Sequence, residues 1–588
     1  MNYKWDLTKL YKTEDLFYKD IDLIKEYGNK LALFQGKLHN EKDFVDYFVL
    51  SKDMNKLINK LYMYSASKSD LNKKDVKASQ DLAKVELAVR ELAEKLAFEN
   101  PEVLALGEEK VKEFIKENPS LSEYDYSFEQ LFHNQEHILS SDKEKLLNYT
   151  SSLNQGGDLY STLTVADFTP SEVTLTDGSK VKVNMSNWIN LVKEAKSEEN
   201  RKIVFKGLYS YYEKHKVTYA QIYNLVLQSQ LATMKARNYS SILEEHLFSN
   251  KIPCEVFYNL VKTAKEGSAP LKKYYQLRKE YLHLENHSSF DRFLELAKSD
   301  KKYTYEQARD LFFDSIKHFP SDFQEKAHEV LKEGYVDVYP SDGKRSGAYS
   351  NGGGDIHPYI LLNFDGGLDD CFTVAHEAGH SIHTLYSMEN QPFTKQNYTI
   401  FVAEIASTFN EHNLLDYLLK DDNLSHQDRI FLLQKAIDEI CSTFYRQTLF
   451  ANYEYDIAKL VENGQPIDHE VLSNKMIELY KEYYGIDITL EEVKKYVWAY
   501  IPHLFYTPFY VYQYATSFAA SLQFYSNVKN NLPNAFEKYT SLLKEGGSDF
   551  PINEVKKAGV DFTKLDTFNA VISRMTELVD LLEIELKK

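Results

Sequence analysis

The pentapeptide His376-Glu377-Ala378-Gly379-His380 is the stretch of this 588-residue chain best equipped for chemistry. Residues four apart on a helix are offset by roughly 40° around the axis and one turn along it. Two imidazoles at that spacing reach a single metal ion, and the carboxylate after the first is placed beside a water that such an ion would activate. The flanks suit a helix: Cys371–Ala375 leads in, and Ser381–Tyr386 continues without a proline. Asp369 and Asp370 stand where carboxylates favour a helix N-terminus. Patterns with two free positions also arise by chance, so the motif alone does not establish a zinc site.

Catalytic zinc needs a third protein ligand and an open fourth position. In the metzincin continuation, Gly would follow His380 at three residues and His at six; those positions hold His383 and Tyr386, which excludes it. His383 shares a helix face with His376, but three ligands from one straight helix strain tetrahedral geometry. We therefore expect His383 to line the pocket or support a ligand. A glutamate from a second helix is the other route, and Phe401–Asn413 offers Glu404. Residues 381–403 give room to end one helix, turn near Gln391-Pro392 and return, whereas Glu389 lies too close to His380 to fold back. Glu411, seven residues after Glu404, falls on nearly the same face and is a candidate acceptor for a ligand histidine. Two solvated helix carboxylates would be the plainer reading. Phe401-Val402-Ala403 before Glu404 and Ile405-Ala406 after it argue against that, because a carboxylate in an apolar setting needs a partner.

A third constellation runs from Tyr500 to Ser517, where His503, Tyr506, Tyr510, Tyr512 and Tyr514 crowd together. Aromatic core packing accounts for such a run, but so does a cavity that grips peptide backbone. If the stretch is helical, Tyr506 and Tyr510 stand one turn apart and both could donate to one carbonyl oxygen as charge develops on it.

The elements that must position these groups read as mainly helical. Leu82–Ala93, Val217–Arg237 and Asp428–Ala451 carry apolar residues at spacings of three and four. The region from Asn154 to Val183 breaks that pattern with Gly156, Gly157, Pro170 and Asp177-Gly178, and Glu172–Thr176 leans toward strand; a short hairpin is expected there. This break suggests an N-terminal helical region over 1–185 and a larger catalytic region over 186–588. The Gly-rich stretch Ser350–Asp355 lacks the following Lys-Ser/Thr of a phosphate loop and reads as a flexible loop feeding a strand, Pro358–Phe364. That strand, with Tyr359 as a candidate substrate contact, could pair with an extended peptide by β-addition.

With 88 acidic and 70 basic residues the formal charge is −18, which disfavours a nucleic-acid partner. Cys254, Cys371 and Cys441 are too few and too scattered for a disulfide framework or a thiolate zinc knuckle. The chain opens without an apolar signal-like stretch and holds no apolar run of spanning length, so a cytoplasmic location away from membranes is expected, with no obligate protein partner evident.

Taken together, His376–His383, the Phe401–Glu411 helix and the His503–Tyr514 segment resemble the thimet-oligopeptidase-like zinc metallopeptidases, in particular the oligoendopeptidase F subfamily. Trp5-Asp6-Leu7-Thr8, Tyr239–Glu244 and Arg345–Tyr349 add to the likeness, which spans nearly the whole chain. The resemblance implies a two-lobed multi-helical body with a deep substrate channel and a small sheet beside the active site. It implies one Zn2+ per chain held by His376, His380 and Glu404, with Glu377 as general base. It further implies substrate-gripping roles for Tyr510 and Tyr506, with His503 and either Tyr512 or Tyr514 as further contacts, and short unstructured peptides as substrates. Two rivals share these residues: a zinc carboxypeptidase or dipeptidyl carboxypeptidase using the same triad, and a non-catalytic peptide-binding helical scaffold.

Overall fold

The computed structural model describes residues 3–140, 143–144, 146–147, 149 and 155–588. Helices dominate it and strands are confined to two small sheets, so the mainly α expectation holds. In chain order, α1 (Glu14–Ala32), α2 (Glu41–Leu71) and α3 (Val76–Lys95) come first, followed by a hairpin of β1 (Ser171–Thr174) and β2 (Lys180–Val183). Next come α4 (Glu198–Lys214), α5 (Lys216–Ala236) and the strands β3 (Val336–Asp337), β4 (Tyr349–Gly353) and β5 (Ile356–Leu361). The candidate metal ligands ride on α6 (Leu368–Asn390) and α7 (Ile400–Leu419). Then follow α8 (Arg446–Glu462), α9 (His469–Tyr484) and α10 (Tyr512–Lys529).

The expected helix Leu82–Ala93 lies inside α3, and Val217–Arg237 coincides with α5 to within a residue. Asp428–Ala451, expected as one helix, runs as His426–Ile440, a π-helical turn Cys441–Tyr445, and the start of α8. Between β1 and β2 the Asp177-Gly178 pair makes the turn: Gly178 takes a φ of +85°, and the Asp177 carboxylate accepts from the Ser179 N–H at 2.9 Å. Asn154, where the break was expected to begin, lies outside the described residues.

The chain divides into two compact units, each drawn from three stretches: 1–136, 300–418 and 524–560 in the first, and 137–299, 419–523 and 561–588 in the second. The break read near residue 185 falls inside the second unit. In the first unit, Phe17, Ile21 and Ile24 of α1 pack with Phe44, Tyr47 and Phe48 of α2 and Val85 and Leu92 of α3. Burying each such side chain contributes about 1.5–3 kcal/mol. Side chains of Asn40 and Asp75 cap α2 and α3, accepting from the N–H groups of Asp43 and Lys77.

A smaller apolar cluster of Trp5, Met63, Ile356, Tyr359 and Leu361 seats the second sheet, and the Trp5 indole donates to the Ile360 carbonyl at 2.7 Å. The strand order is β3-β5-β4, with β5 in the centre, parallel to β3 and antiparallel to β4. Three expectations change here. The Gly-rich stretch is itself a strand rather than a flexible loop, bulged between Asn351 and Gly353. Its glycines serve close backbone approach: a Cβ on Gly352 would stand 2.4 Å from the Cα of Pro358, and Gly353 and Gly354 turn the chain at φ of +99° and +60°. Second, β5 is the central strand, paired on both sides, so a further strand would have to add at an edge, β3 or β4, and of these β4 lines the candidate cavity. Third, Tyr359 is not a substrate contact. It is 1% exposed, packs edge-on against Trp5 and Tyr335, and donates its hydroxyl to the Asp6 carbonyl.

Candidate active site

Asp370 starts α6 by turning its carboxylate back on the chain, where one oxygen accepts from the N–H groups of Asp365, Gly366 and Gly367 at 2.9–3.0 Å. The helix then runs unbroken through the His-Glu-x-x-His pentapeptide to Asn390, and its Ser381 hydroxyl meets that of Ser350 on β4 at 2.8 Å. α7 crosses it at Gly379. A Cβ there would lie 2.6 Å from the Ala406 carbonyl oxygen and 2.7 Å from the Ser407 Cα, so the two backbones touch. Only glycine permits that approach, which is what lets a side chain from α7 reach the imidazoles of α6.

The side chain that reaches them is Glu404. Its Oε2 lies 3.5 Å from His376 Nε2 and 3.5 Å from His380 Nε2, and ligand atoms of the three residues all fall within 4.8 Å of one another. Ser407, one turn along α7, donates to the same Glu404 oxygen at 2.9 Å and steadies the carboxylate. Glu411 Oε1 stands 2.5 Å from His376 Nδ1, which keeps a proton on Nδ1 and leaves Nε2, facing Glu404 and His380, as the ring atom that would meet a metal ion. The Glu377 side chain is buried at 5% exposure, and its Oε2 has no hydrogen-bond partner among the described residues.

The electrostatics of this cluster favour a cation. Burial works against charge on His376, yet Glu411, Glu377 and Glu404 outweigh it and hold the imidazole up to about 10. Burial would raise Glu404, but His380 and His376 bring it down to about 2, while burial dominates at Glu377 and pushes it up. Two imidazole nitrogens and one carboxylate, with a second carboxylate orienting one ring, fit the donor set of a catalytic zinc site.

These groups line a cavity of about 520 Å³ within the first unit, together with β4 from Tyr349 to Gly353 and with Asn397 and Tyr398. Tyr398 escaped notice in the sequence because nothing in its spacing ties it to the motif. It stacks on His383 at 3.6 Å between ring centroids and an interplanar angle of 7°. His383 is 1% exposed, neither ring nitrogen has a hydrogen-bond partner among the described residues, and burial depresses it to about 3. It therefore supports no ligand by hydrogen bonding and acts as a neutral ring packed behind Tyr398. The Tyr398 hydroxyl meets Thr384 Oγ1 at 3.0 Å and the His380 carbonyl at 3.4 Å.

The tyrosine-rich segment belongs to the second unit and is not one helix. A single turn His503–Tyr506 is followed by a loop, and α10 begins at Tyr512, so Tyr506 and Tyr510 do not stand one turn apart. Tyr510 lies parallel to His503 with ring centroids 6.1 Å apart, and Tyr514 meets both edge-on. Tyr506 turns instead to Tyr160. Tyr512 is 2% exposed and packs against Phe257, which removes it as a substrate contact. The loop is held by a group that sequence reading missed: Glu454 on α8 accepts from the Phe509 N–H at 2.8 Å, fixing Phe509 at a φ of +54°. Its other carboxylate oxygen has no hydrogen-bond partner among the described residues, and burial raises the group to about 8.

Comparison with known proteins agrees with this geometry. The profile of peptidase family M3 matches residues 191–573, and that of the oligopeptidase F N-terminal region matches residues 102–169. Group B oligopeptidase PepB of Streptococcus agalactiae is 33% identical over 98% of this chain and 97% of its own, and oligopeptidase PepF of Bacillus subtilis is 32% identical over 99% and 87%. Among solved structures, a putative peptidase from Chlamydophila abortus superposes with a TM-score of 0.91 at 32% identity, covering 98% of each chain. Oligoendopeptidase-F from Enterococcus faecium gives 0.74 at 26%, covering 98% of this chain and 99% of that one. The chain belongs to peptidase family M3 and is a metallo-oligopeptidase.

Two outcomes follow from the contacts above. Gly379→Ala should force α6 and α7 apart, destabilise the fold by about 1–3 kcal/mol and weaken metal retention, measured by thermal melting and by metal content after dialysis; a variant that keeps both would show that the crossing is not needed. Glu454 has a folded-state pKa above its unfolded value, so its contribution is fully present below the unfolded pKa and is lost as pH rises through the folded one. Glu454→Gln should therefore gain about 2–3 kcal/mol on the native protein between pH 6 and 9, read from parallel denaturant titrations; equal pH slopes would contradict it.

Proposed function

We propose that the chain is a zinc-dependent endopeptidase of short, unstructured peptides, with His376, His380 and Glu404 holding the ion and Glu377 serving as general base. The observation that carries this reading is the buried Glu377 oxygen, without a hydrogen-bond partner among the described residues, in the cavity that holds two imidazoles and a shared carboxylate. Zinc, when bound, supplies a Lewis acid that activates a water and polarises the scissile carbonyl. Burial raises Glu377, making it a stronger base than a solvated carboxylate, able to take a proton from the attacking water and pass it to the leaving amine nitrogen. Glu411 keeps the His376 ring turned so that Nε2 remains a donor. In the second unit Tyr510, lying parallel to His503, is the proposed hydroxyl donor to substrate, with Tyr506 as the alternative donor and Tyr514 as a further substrate contact.

Substrate backbone is assigned to the free edge of β4, in place of β5. A strand added there is held by main-chain hydrogen bonds, which give affinity with little demand on side-chain identity. A cytoplasmic location accompanies this reading, supported by three cysteines that form no disulfide. None of the described helices is long and apolar enough to cross a membrane.

Glu377→Gln should retain bound zinc while losing at least about a hundred-fold in kcat. The assay is hydrolysis of an internally quenched peptide blocked at both ends, run beside metal analysis. Near-native turnover by the variant would remove Glu377 from the mechanism. Failure of the native enzyme to cut the blocked peptide, with cleavage of the same peptide bearing a free C-terminus, would favour the carboxypeptidase class instead.

A further inference from the structure

α7 turns one stripe toward the catalytic cavity, and the stripe changes character along its length. Ile400, Ala403 and Glu404 stand at helical positions i, i+3 and i+4, so they share a face, and all three line the cavity of about 520 Å³. Ser407 and Glu411 continue the stripe toward the C-terminus and serve the metal site, the first donating to Glu404 and the second meeting His376. The N-terminal part of the stripe is apolar. Its neighbours on the other faces of the helix belong to the core: Phe401 and Ile405 are 0% exposed and Val402 is 1%. Ile400, by contrast, is 44% exposed.

An isolated aliphatic side chain in contact with water is ordinary on a protein surface. This one stands a single turn from a candidate metal ligand, on the wall of the cavity where a scissile bond must lie. Other parts of that wall are apolar too. The Tyr398 ring is fixed there, stacked on the neutral His383 and tethered through its hydroxyl to Thr384. The Thr384 hydroxyl also donates to the His380 carbonyl at 3.1 Å, and its methyl group faces the strand: a Cβ built on Gly353 would stand 3.8 Å from Thr384 Cγ2 and 3.4 Å from Asn397 Oδ1. At a φ of +99° Gly353 could not readily carry such a Cβ, so the space between β4 and Thr384 stays open. Among the described residues no lysine or arginine lines this cavity. An acidic substrate side chain would find no partner there, and would find the carboxylates of Glu377 and Glu404 against it.

We infer that Ile400 determines specificity: with Ala403, Tyr398 and the Thr384 methyl it forms an apolar subsite for one substrate side chain within two residues of the scissile bond, and it selects leucine-like side chains over polar or charged ones. Covering Ile400 with such a side chain takes apolar surface of both partners out of water, a gain that a polar side chain cannot match because it gives up its own hydration there. Main-chain pairing at β4 supplies affinity without regard to sequence, and this subsite adds the discrimination. The inference deepens the peptidase reading and rests on it for the identity of the ligand.

The test uses internally quenched peptides blocked at both ends, in which each of the two residues on either side of the cleaved bond is in turn Leu, Asn, Glu or Lys, with products assigned by mass spectrometry. At one of these positions zinc-loaded native protein should show a kcat/KM about tenfold or more higher for Leu than for the other three. Ile400→Asn should bring the Leu-to-Asn ratio at that position to within about threefold of unity and leave the ratios at the other positions unchanged, whereas Ile400→Val should keep the preference. Binding reads the same residue without turnover: in protein stripped of metal by a chelator, fluorescence anisotropy should give a tighter Kd for the Leu peptide than for the Asn peptide, and Ile400→Asn should lose that difference. If Ile400→Asn lacks native circular dichroism, Ile400→Thr, close in shape to Val, takes its place. No preference for Leu at any of the positions overturns the subsite, and so does a Leu preference that survives in a polar variant with native circular dichroism. Native protein that binds with the Leu preference but cuts none of the peptides contradicts the peptidase reading alone, whereas cutting without preference contradicts the subsite alone.

Discussion

The active site depends on one contact between backbones. At Gly379 the motif helix presses on the carbonyl of Ala406 and the Cα of Ser407, and this places Glu404 within 3.5 Å of both ring nitrogens. A metal centre assembled from two helices is only as well defined as their crossing, because each added tenth of an ångström at the axis is carried to the side-chain tips. The rest of the surroundings serves that crossing. Asp370 fixes where α6 begins, the β4 hydroxyl of Ser350 meets its Ser381, and Ser407 steadies the Glu404 carboxylate.

That arrangement carries an electrostatic burden. Glu377, Glu404 and Glu411 converge on two imidazoles in a half-buried pocket, and carboxylates brought so close need positive charge.

Much of this was legible in the sequence for physical reasons that can be named. His376, Glu377 and His380 follow from helical geometry, and Glu404 stood out because a carboxylate flanked by Phe401-Val402-Ala403 and Ile405-Ala406 had to be spoken for. Motifs read only as family likeness acquire structural reasons: Trp5 donates to the central strand, Ser241 caps a helix, and Arg345 and Tyr349 share Asp70. What escaped reading was tertiary. Periodicity cannot say which of two adjacent strands is the edge, so from sequence β5 reads as the strand that could meet substrate and Tyr359 as a contact. The sequence leaves open whether the tyrosine run is helical, because rings alone do not reveal a left-handed residue such as Phe509, held by an acid 55 positions away.

The central claim is that α6 and α7 together furnish a zinc site of two imidazoles and one carboxylate. Zinc-edge X-ray absorption on the purified protein tests it most directly. The account predicts about one zinc per chain with a first shell of nitrogen and oxygen donors, multiple scattering from two imidazoles, and loss of one imidazole contribution in His380→Ala. Substoichiometric zinc, a shell containing sulfur, or an imidazole count unchanged in that variant would contradict it.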